Sequence, residues 1–162
     1  WFQGRSEAGA RALGNRSIIA SCSNAGMKEK VNARIKYREE FRPFAPSAAA
    51  DRAPEYFECG DTAFPYMCFT VPTKPEKAPA LPAVVHGDGT ARLQTVRSSD
   101  NEVYYSLINE YGRITGTPVI MNTSFNLKGQ PIVETPRDAL MTFFGCGLDD
   151  LVLGPFHVTK RA

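Results

Sequence analysis

Three cationic side chains lie close together in the stretch KYREEFRPFAPS. Lys36, Arg38 and Arg42 fall within seven positions, and the two prolines that follow prevent a helix from continuing through the segment. Arg presents a planar fork of donors that matches phosphate oxygens, whereas Lys acts as a movable point charge. Cations at this spacing, beside a stiff and partly apolar corner, predict a site for an anion with several oxygens, such as a nucleotide phosphate.

Two further groups could complete such a site. Arg92 follows the Gly-Asp-Gly turn of HGDGTAR, and the stretch NTSFN follows a buried strand. That stretch offers two amides and two hydroxyls: Asn122, Thr123, Ser124 and Asn126. Ligands in mixed α/β sheets commonly bind at strand ends, where polar turns add donors without adding charge. Together the groups predict anion or phosphate binding, although each alone also fits a solvated arginine or a plain turn.

Several other chemistries have no support in the sequence. The chain has no GxxxxGK[ST] phosphate loop, no GxSxG nucleophile motif and no third glycine after GDG for a dinucleotide fingerprint. His86 and His157 have no partners at ligand spacing, so no metal site is expected. Four cysteines without a CxxC pair are typical of reduced thiols in a cytoplasmic protein, and no apolar run is long enough to predict a membrane span.

The charge is distributed unevenly along the chain. The net charge is only +2, but residues 1–52 hold ten Lys/Arg and five Asp/Glu, a balance of +5, while residues 53–162 have a balance of −3. A field of positive sign raises the local concentration of an anionic ligand. The small total, without an exposed run of aromatic and basic residues, argues against nucleic acid as the partner.

The segments that position these groups alternate between strand and helix patterns. Apolar spacing and end signals predict helices over 6–13, 27–35, 101–112 and 136–147. Strands are predicted over 17–21 and 65–71, in a hairpin over 84–96, from 118 to a break at Asn122, and in a pair around Gly154-Pro155. This alternation predicts an α/β fold with a mixed parallel and antiparallel sheet covered by helices.

Four blocks of the sequence resemble the C-terminal domain of the carbamoyltransferase family, whose members modify nodulation factors and antibiotics. The blocks are GRSEAGARALGNRSI, NARIKYREEFRPFAPS, HGDGTARLQTV and NTSFNLKGQPIVETPRDAL. The resemblance implies a YrdC-like fold, a twisted mixed sheet with helices on both faces, over residues 21–162. Residues 1–20 would then be an interdomain segment that leads from an N-terminal transferase domain outside this chain.

The resemblance also implies a reaction. Such domains are associated with forming carbamoyl-adenylate from carbamoyl phosphate and ATP, with Mg²⁺ bound alongside the nucleotide, before the N-terminal domain transfers the carbamoyl group to an acceptor hydroxyl. By motif, the resemblance assigns Lys36, Arg42 and Arg92 to catalysis. It assigns Arg38 and the polar residues of NTSFN to nucleotide binding. Arg5, Arg11 and Arg16 would line the channel between the two domains.

Three departures from the family pattern affect the interdomain segment, one of them after Ala20, where the family commonly continues Asp-Pro-Arg and this chain reads SCSNAG. The family usually has an aromatic residue at the position of Ala8 and a proline at that of Ala10. Two alternatives to an adenylating enzyme also stay open from the sequence: an RNA-binding module, and a remnant that binds nucleotide without catalysis.

Overall fold

Strands and helices alternate in the computed structural model, which describes residues 1–161. The strands are β1 (Ser17–Ser21), β2 (Ala45–Ala49), β3 (Val71–Pro72), β4 (Thr90–Ala91), β5 (Gln94–Val96), β6 (Val119–Ser124), β7 (Asp150–Leu153) and β8 (Phe156–Thr159). The helices are α1 (Met27–Val31), which continues into a π-helical turn over Asn32–Lys36, α2 (Glu102–Thr115) and α3 (Pro136–Phe144). Within the described residues, no helix is both long enough and apolar enough to cross a bilayer.

The main sheet has the strand order β1-β6-β2-β5. Strand β6 is antiparallel to both β1 and β2, whereas β2 and β5 run parallel. Two smaller antiparallel pairs, β3-β4 and β7-β8, lie outside this sheet. The predicted α/β class with a mixed sheet is therefore confirmed.

Both faces of the main sheet are covered by helices. The alternation of side chains along each strand separates two groups of core residues. One face packs on α2 through a small buried cluster: Ala49, Val96, Tyr104, Ile108 and Ile120. The other face joins a larger core with side chains from α1, its π-helical extension and α3, including Ile18, Val31, Ile35, Met121 and Phe143. The expected placement of helices on two faces is confirmed, while the YrdC-like assignment stays a prediction.

The central strand β2 was not predicted. Its sequence, Ala45–Ala49, reads APSAA, and neither Ala nor Pro favours strands. All five residues are nevertheless buried between β6 and β5. Their small side chains leave room for α2 on one face and for the larger core on the other, so packing rather than propensity determines this strand.

The predicted helix over 6–13 is wrong. The segment is not helical, and Glu7 Oε1 instead accepts from the backbone N–H of Leu13 at 2.8 Å and from that of Asn15, just beyond the segment, at 2.6 Å. Gly9 has φ of +105°, a value that glycine adopts without strain. Tertiary hydrogen bonds outweigh the local helical pattern here.

Three other element predictions need correction. The strand over 65–71 is reduced to Val71–Pro72, because Met67 takes a left-handed backbone conformation with φ of +55°. The turn of the predicted hairpin exists, with the His86 N–H donating to the Thr90 carbonyl, but residues 84–86 form no strand. The other arm divides into β4, which pairs with β3, and β5, which pairs with β2. Strand β6 does not break at Asn122, since its ladder with β1 continues through Ser124.

Candidate functional site

Three guanidinium groups line a cavity of about 90 Å³ beside the end of β6. We call it the arginine cavity. Its walls come from Ala10, Arg11, Ala12, Arg38, Pro43, Phe44, Ala45, Met67, Arg92, Asn122, Thr123 and Ser124. None of its three arginines has a carboxylate within 4.0 Å among residues 1–161, whereas Arg42, Arg52 and Arg113 each form an ion pair. The cavity therefore concentrates positive charge that the described residues do not neutralise.

Arg38 is fixed at the wall of the cavity by three contacts. Its Nε donates to Asn32 Oδ1 at 2.7 Å, its Nη2 reaches the Pro43 carbonyl at 3.5 Å, and its guanidinium lies 4.6 Å from the centre of the Phe44 ring. Burial lowers the pKa of Arg38, and the charges of Arg42 and Arg92 lower it further. An arginine stays protonated in proteins, so an anion beside Arg38 would offset the cost of burying its charge.

Arg92 lies between β4 and β5, two residues after the turn over 86–90. The backbone N–H of His86 donates to the Thr90 carbonyl at 2.7 Å, and Asp88 Oδ1 accepts from the Thr90 N–H and hydroxyl at 3.0 and 2.8 Å. The Nε of Arg92 is buried and lacks a hydrogen-bond partner. Burial, with Arg11 second, lowers the pKa of Arg92. An unpaired buried donor of this kind is costly unless a ligand accepts from it.

Arg11 was not among the predicted site residues, because the sequence placed it in the interdomain segment. A buried polar network brings it to the cavity. Asn122 Nδ2 donates to the Ala12 carbonyl at 3.2 Å, and Gln94 Nε2 donates to the Leu13 carbonyl at 3.0 Å. These bonds hold the two residues that follow the arginine against the sheet, while Arg11 itself is exposed. From the sequence alone, Arg11 could have been found only by expecting Asn122 and Gln94 to bind the segment that contains it.

Lys36 is close to the cavity, but its ammonium group does not line it. The Nζ atom donates to the carbonyl oxygens of Ser124 and Asn126, to Asn126 Oδ1 at 2.7 Å and to Ser124 Oγ at 3.3 Å. Ser124 Oγ also donates to Asn126 Oδ1 at 2.7 Å. We call these three residues the Lys36 cluster. Burial lowers the pKa of Lys36 to about 7, and the charge of Arg38 contributes in the same direction.

The structure thus brings some of the predicted residues together and leaves others apart. Arg38, Arg92, Asn122, Thr123 and Ser124 line the cavity. Asn126 lines an adjoining open groove of about 680 Å³, and Ala10 and Ser124 lie in the walls of both. Arg42 is exposed outside the cavity, where its Nε pairs with Glu39 at 2.9 Å. Lys36 meets the site only through the Ser124 and Asn126 contacts.

The remaining arginines of the N-terminal segment differ from one another. Arg16 is buried, with its guanidinium 3.4 Å from the centre of the Phe2 ring and bonded to backbone carbonyls of Gln3, Gly4, Asn15 and Glu134. Arg5 is exposed. Residues 17–20 belong to β1 within the main sheet, so that part of the segment packs with the rest of the fold. The role of residues 1–20 as a connection to another domain stays a prediction.

The arrangement fits recognition of a small oxyanion. Within residues 1–161, no three His, Cys, Asp or Glu side chains meet as metal ligands. Three guanidiniums supply charge and donors, the Ser124 and Thr123 positions add polar atoms, and the cavity suits a group of phosphate size. A whole nucleotide would extend out of the cavity, and the adjoining groove is the open space next to it.

Comparisons with known proteins agree with the four sequence blocks. A family model described as "Carbamoyltransferase C-terminus" matches residues 1–160. Nodulation protein NolNO of Sinorhizobium fredii and nodulation protein NolO of Bradyrhizobium diazoefficiens are each 49% identical to the chain over 163 residues and cover 99% of it. Nodulation protein U of Rhizobium tropici is 48% identical over 130 residues, which is 80% of the chain.

The relatives are much longer than the chain. The aligned region is 24% of NolNO, 30% of NolO and 22% of nodulation protein U. The match to the family model extends over both the arginine cavity and the Lys36 cluster. The chain therefore belongs to the carbamoyltransferase C-terminus family.

Proposed function

We propose that this chain binds carbamoyl phosphate and ATP and forms carbamoyl-adenylate, which a separate N-terminal domain of a carbamoyltransferase uses to modify an acceptor hydroxyl. The observation that carries the proposal is the arginine cavity in a chain of this family. Arg11, Arg38 and Arg92 have no described acidic partner there, and Arg92 Nε has no partner at all. A phosphate group would satisfy both the charge and the donors.

The reaction needs strong positive charge because both substrates are anions. Water would cleave carbamoyl phosphate to carbamate and inorganic phosphate. A carbamate oxygen would then attack the α-phosphorus of ATP, the bond from that phosphorus to the bridging oxygen would break, and pyrophosphate would leave. Negative charge develops on the attacking, equatorial and leaving oxygens. Fixed guanidiniums stabilise that charge without having to reorganise during the step.

The residues of the site divide into two kinds in this scheme. Arg11, Arg38 and Arg92 would contact phosphate oxygens, with the hydroxyls of Thr123 and Ser124 beside them. Lys36 would keep Ser124 and Asn126 in place rather than contact the substrate. Mg²⁺ would be bound with the nucleotide, whose phosphate oxygens are ligands of the kind it prefers, and would neutralise part of the phosphate charge. We place this chemistry in the cytoplasm, where ATP is available.

Pyrophosphate release tests the proposal. The 162-residue chain with ATP, carbamoyl phosphate and Mg²⁺ should release pyrophosphate, and omitting carbamoyl phosphate should stop the release. Arg38→Ala should lower the rate roughly a hundredfold or more, since it removes one donor to the developing charge. Arg113→Ala is the matched control, because that arginine is exposed on α2 and pairs with Glu110.

Three results would contradict the proposal. A folded chain that binds ATP without releasing pyrophosphate would indicate a nucleotide-binding remnant. Equal losses in Arg38→Ala and Arg113→Ala would show that the cavity is not the site. RNA binding that weakens steeply with salt, in the absence of pyrophosphate release, would support the nucleic-acid alternative.

A further inference from the structure

Residues 1–3 already form a short strand between β1 and the end of β7, two strands that do not otherwise pair. On one side, Trp1 and Ser17 exchange backbone hydrogen bonds of 2.9 and 3.0 Å, so this segment is antiparallel to the chain entering β1. On the other side, the Phe2 N–H donates to the Val152 carbonyl at 2.8 Å, and the Gly154 N–H donates to the Phe2 carbonyl at 2.9 Å. Phe2 is therefore parallel to the end of β7.

A slot continues from Trp1 along the same line. This cavity, of about 230 Å³, lies between β1 and β7 with α1 at its floor. Its walls are mainly apolar and include Trp1, Ile18, Ala20, Val31, Ile35 and Phe125. The slot therefore begins where the three-residue strand begins, and its sides are the same two strands.

Both sides of the slot present backbone groups suited to another strand. Hydrogen bonding alternates along an antiparallel strand, and Ser17 already bonds outward to Trp1. Ile19 and Ser21 consequently direct their N–H and C=O groups into the slot, while Ile18 and Ala20 bond to β6. The same alternation in the β7-β8 pair leaves the Val152 N–H facing the slot. Unpaired edges of this kind are templates for strand addition.

We propose that the slot is filled by an added β-strand, formed by the polypeptide that leads into Trp1 in the longer protein. The relatives are three to four times the length of the aligned region, and the family model is described as a C-terminus, so they carry sequence on that side. The strand would be antiparallel to β1 and parallel to β7. It would join the main sheet and the β7-β8 pair into one continuous sheet.

The register follows from the existing pairs. Phe2 lies opposite Arg16 and Trp1 opposite Ser17, so the first and third residues before Trp1 would lie opposite Ile18 and Ala20. Those two positions share a face with Phe2, which is part of the larger core. We therefore expect apolar side chains at the first and third positions before Trp1.

Cysteine cross-linking in the full-length protein tests this register. With Cys68, the exposed native thiol, replaced by serine, Ala20→Cys should form a disulfide with a cysteine at the third residue before Trp1. The control is Ala20→Cys with a cysteine at the fourth residue, whose side chain would point to the opposite face. Equal cross-linking of both pairs, cross-linking of neither, or a disulfide between two molecules would overturn the proposal.

Hydrogen exchange tests for the added strand in the protein without any substitution. In the full-length protein, the amides of Ile19, Ser21 and Val152 should exchange within about tenfold of those of Ile18 and Ala20, which bond to β6 in any case. Exchange of the first three amides that is a thousandfold or so faster than that of the second pair would mean an open slot, and would also overturn the proposal.

Discussion

The Lys36 cluster and the arginine cavity share Ser124 and carry charge of the same sign. In the cluster, one buried ammonium faces four oxygens of Ser124 and Asn126. In the cavity, three guanidiniums have no carboxylate nearby among the described residues, and one buried N–H has no acceptor. The first arrangement is complete without a ligand, and the second is not. Cations close to the core can thus serve the fold or a substrate, and the number of acceptors around each distinguishes the two roles.

The largest expected difference between the two regions is in phosphate binding. Arg92→Ala should weaken the binding of inorganic phosphate by roughly a hundredfold, about 2.7 kcal/mol, because a charged donor with no other partner is removed. Titration calorimetry measures this loss. Without phosphate, the midpoint of thermal unfolding of Arg92→Ala should differ from that of the wild-type chain by less than about 3 °C, because the substitution also removes repulsion between guanidiniums.

Arg42→Ala is the matched comparison for this experiment. Its guanidinium pairs with Glu39 outside the cavity, so phosphate affinity should change by no more than about threefold. An equal loss in both variants would mean that Arg42 moves into the site when the ligand binds. In that case the contrast between paired and unpaired cations would not identify the binding residues.

A smaller effect is expected on stability in the Lys36 cluster. Asn126→Ala removes Oδ1, which accepts from Lys36 and Ser124, and should lower the free energy of unfolding by about 2 kcal/mol. In a Lys36→Met background, the same substitution should cost at least about 1 kcal/mol less, because the two side chains interact directly. Denaturant unfolding of the four proteins measures this coupling. Purely additive losses would contradict the assigned cluster.

The smallest expected effect depends on pH. The pKa of Lys36 is about 7 in the fold, below its value in the unfolded chain, so above pH 7 the unfolded state binds more protons. The stability of the wild-type chain relative to Lys36→Met should therefore rise with pH, by about 1.5 kcal/mol between pH 7 and 8.5. Below pH 6 the difference should be constant. A difference that does not change across both ranges would show that Lys36 keeps an ordinary pKa.

Elements with clear patterns were predictable from the sequence. Strand β1 has the predicted bounds, and α2 begins near its expected start with Asn101 accepting from the Tyr104 N–H. The turn around Gly154 joins two short strands, as expected. In each case a local signal of apolar spacing, capping or turn residues agrees with the fold.

The rest of the fold and site depends on contacts between distant residues. The segment 6–13 has a helical pattern, but Glu7, Gln94 and Asn122 bind the backbone at and beside it in an irregular conformation that brings Arg11 to the cavity. Strand β2 lacks residues that favour strands. It forms because its small side chains fit between the helices packed on the two faces of the sheet. The sequence could group Arg38, Arg92 and Ser124 as candidates, which the structure brings to one cavity, but not which cations would be left without partners.

The alanines of β2 restrict which substitutions the protein can accept. Ala45, Ala48 and Ala49 have no measurable exposure, and helices lie close on both sides of this strand. Every added methyl group would have to displace a packed neighbour, and overpacking of this kind typically costs about 1–3 kcal/mol. Ala45 also lines the arginine cavity, so a larger side chain there would reduce the volume of the cavity as well. Sequence drift in this family should therefore be slow at a strand that carries no reactive group.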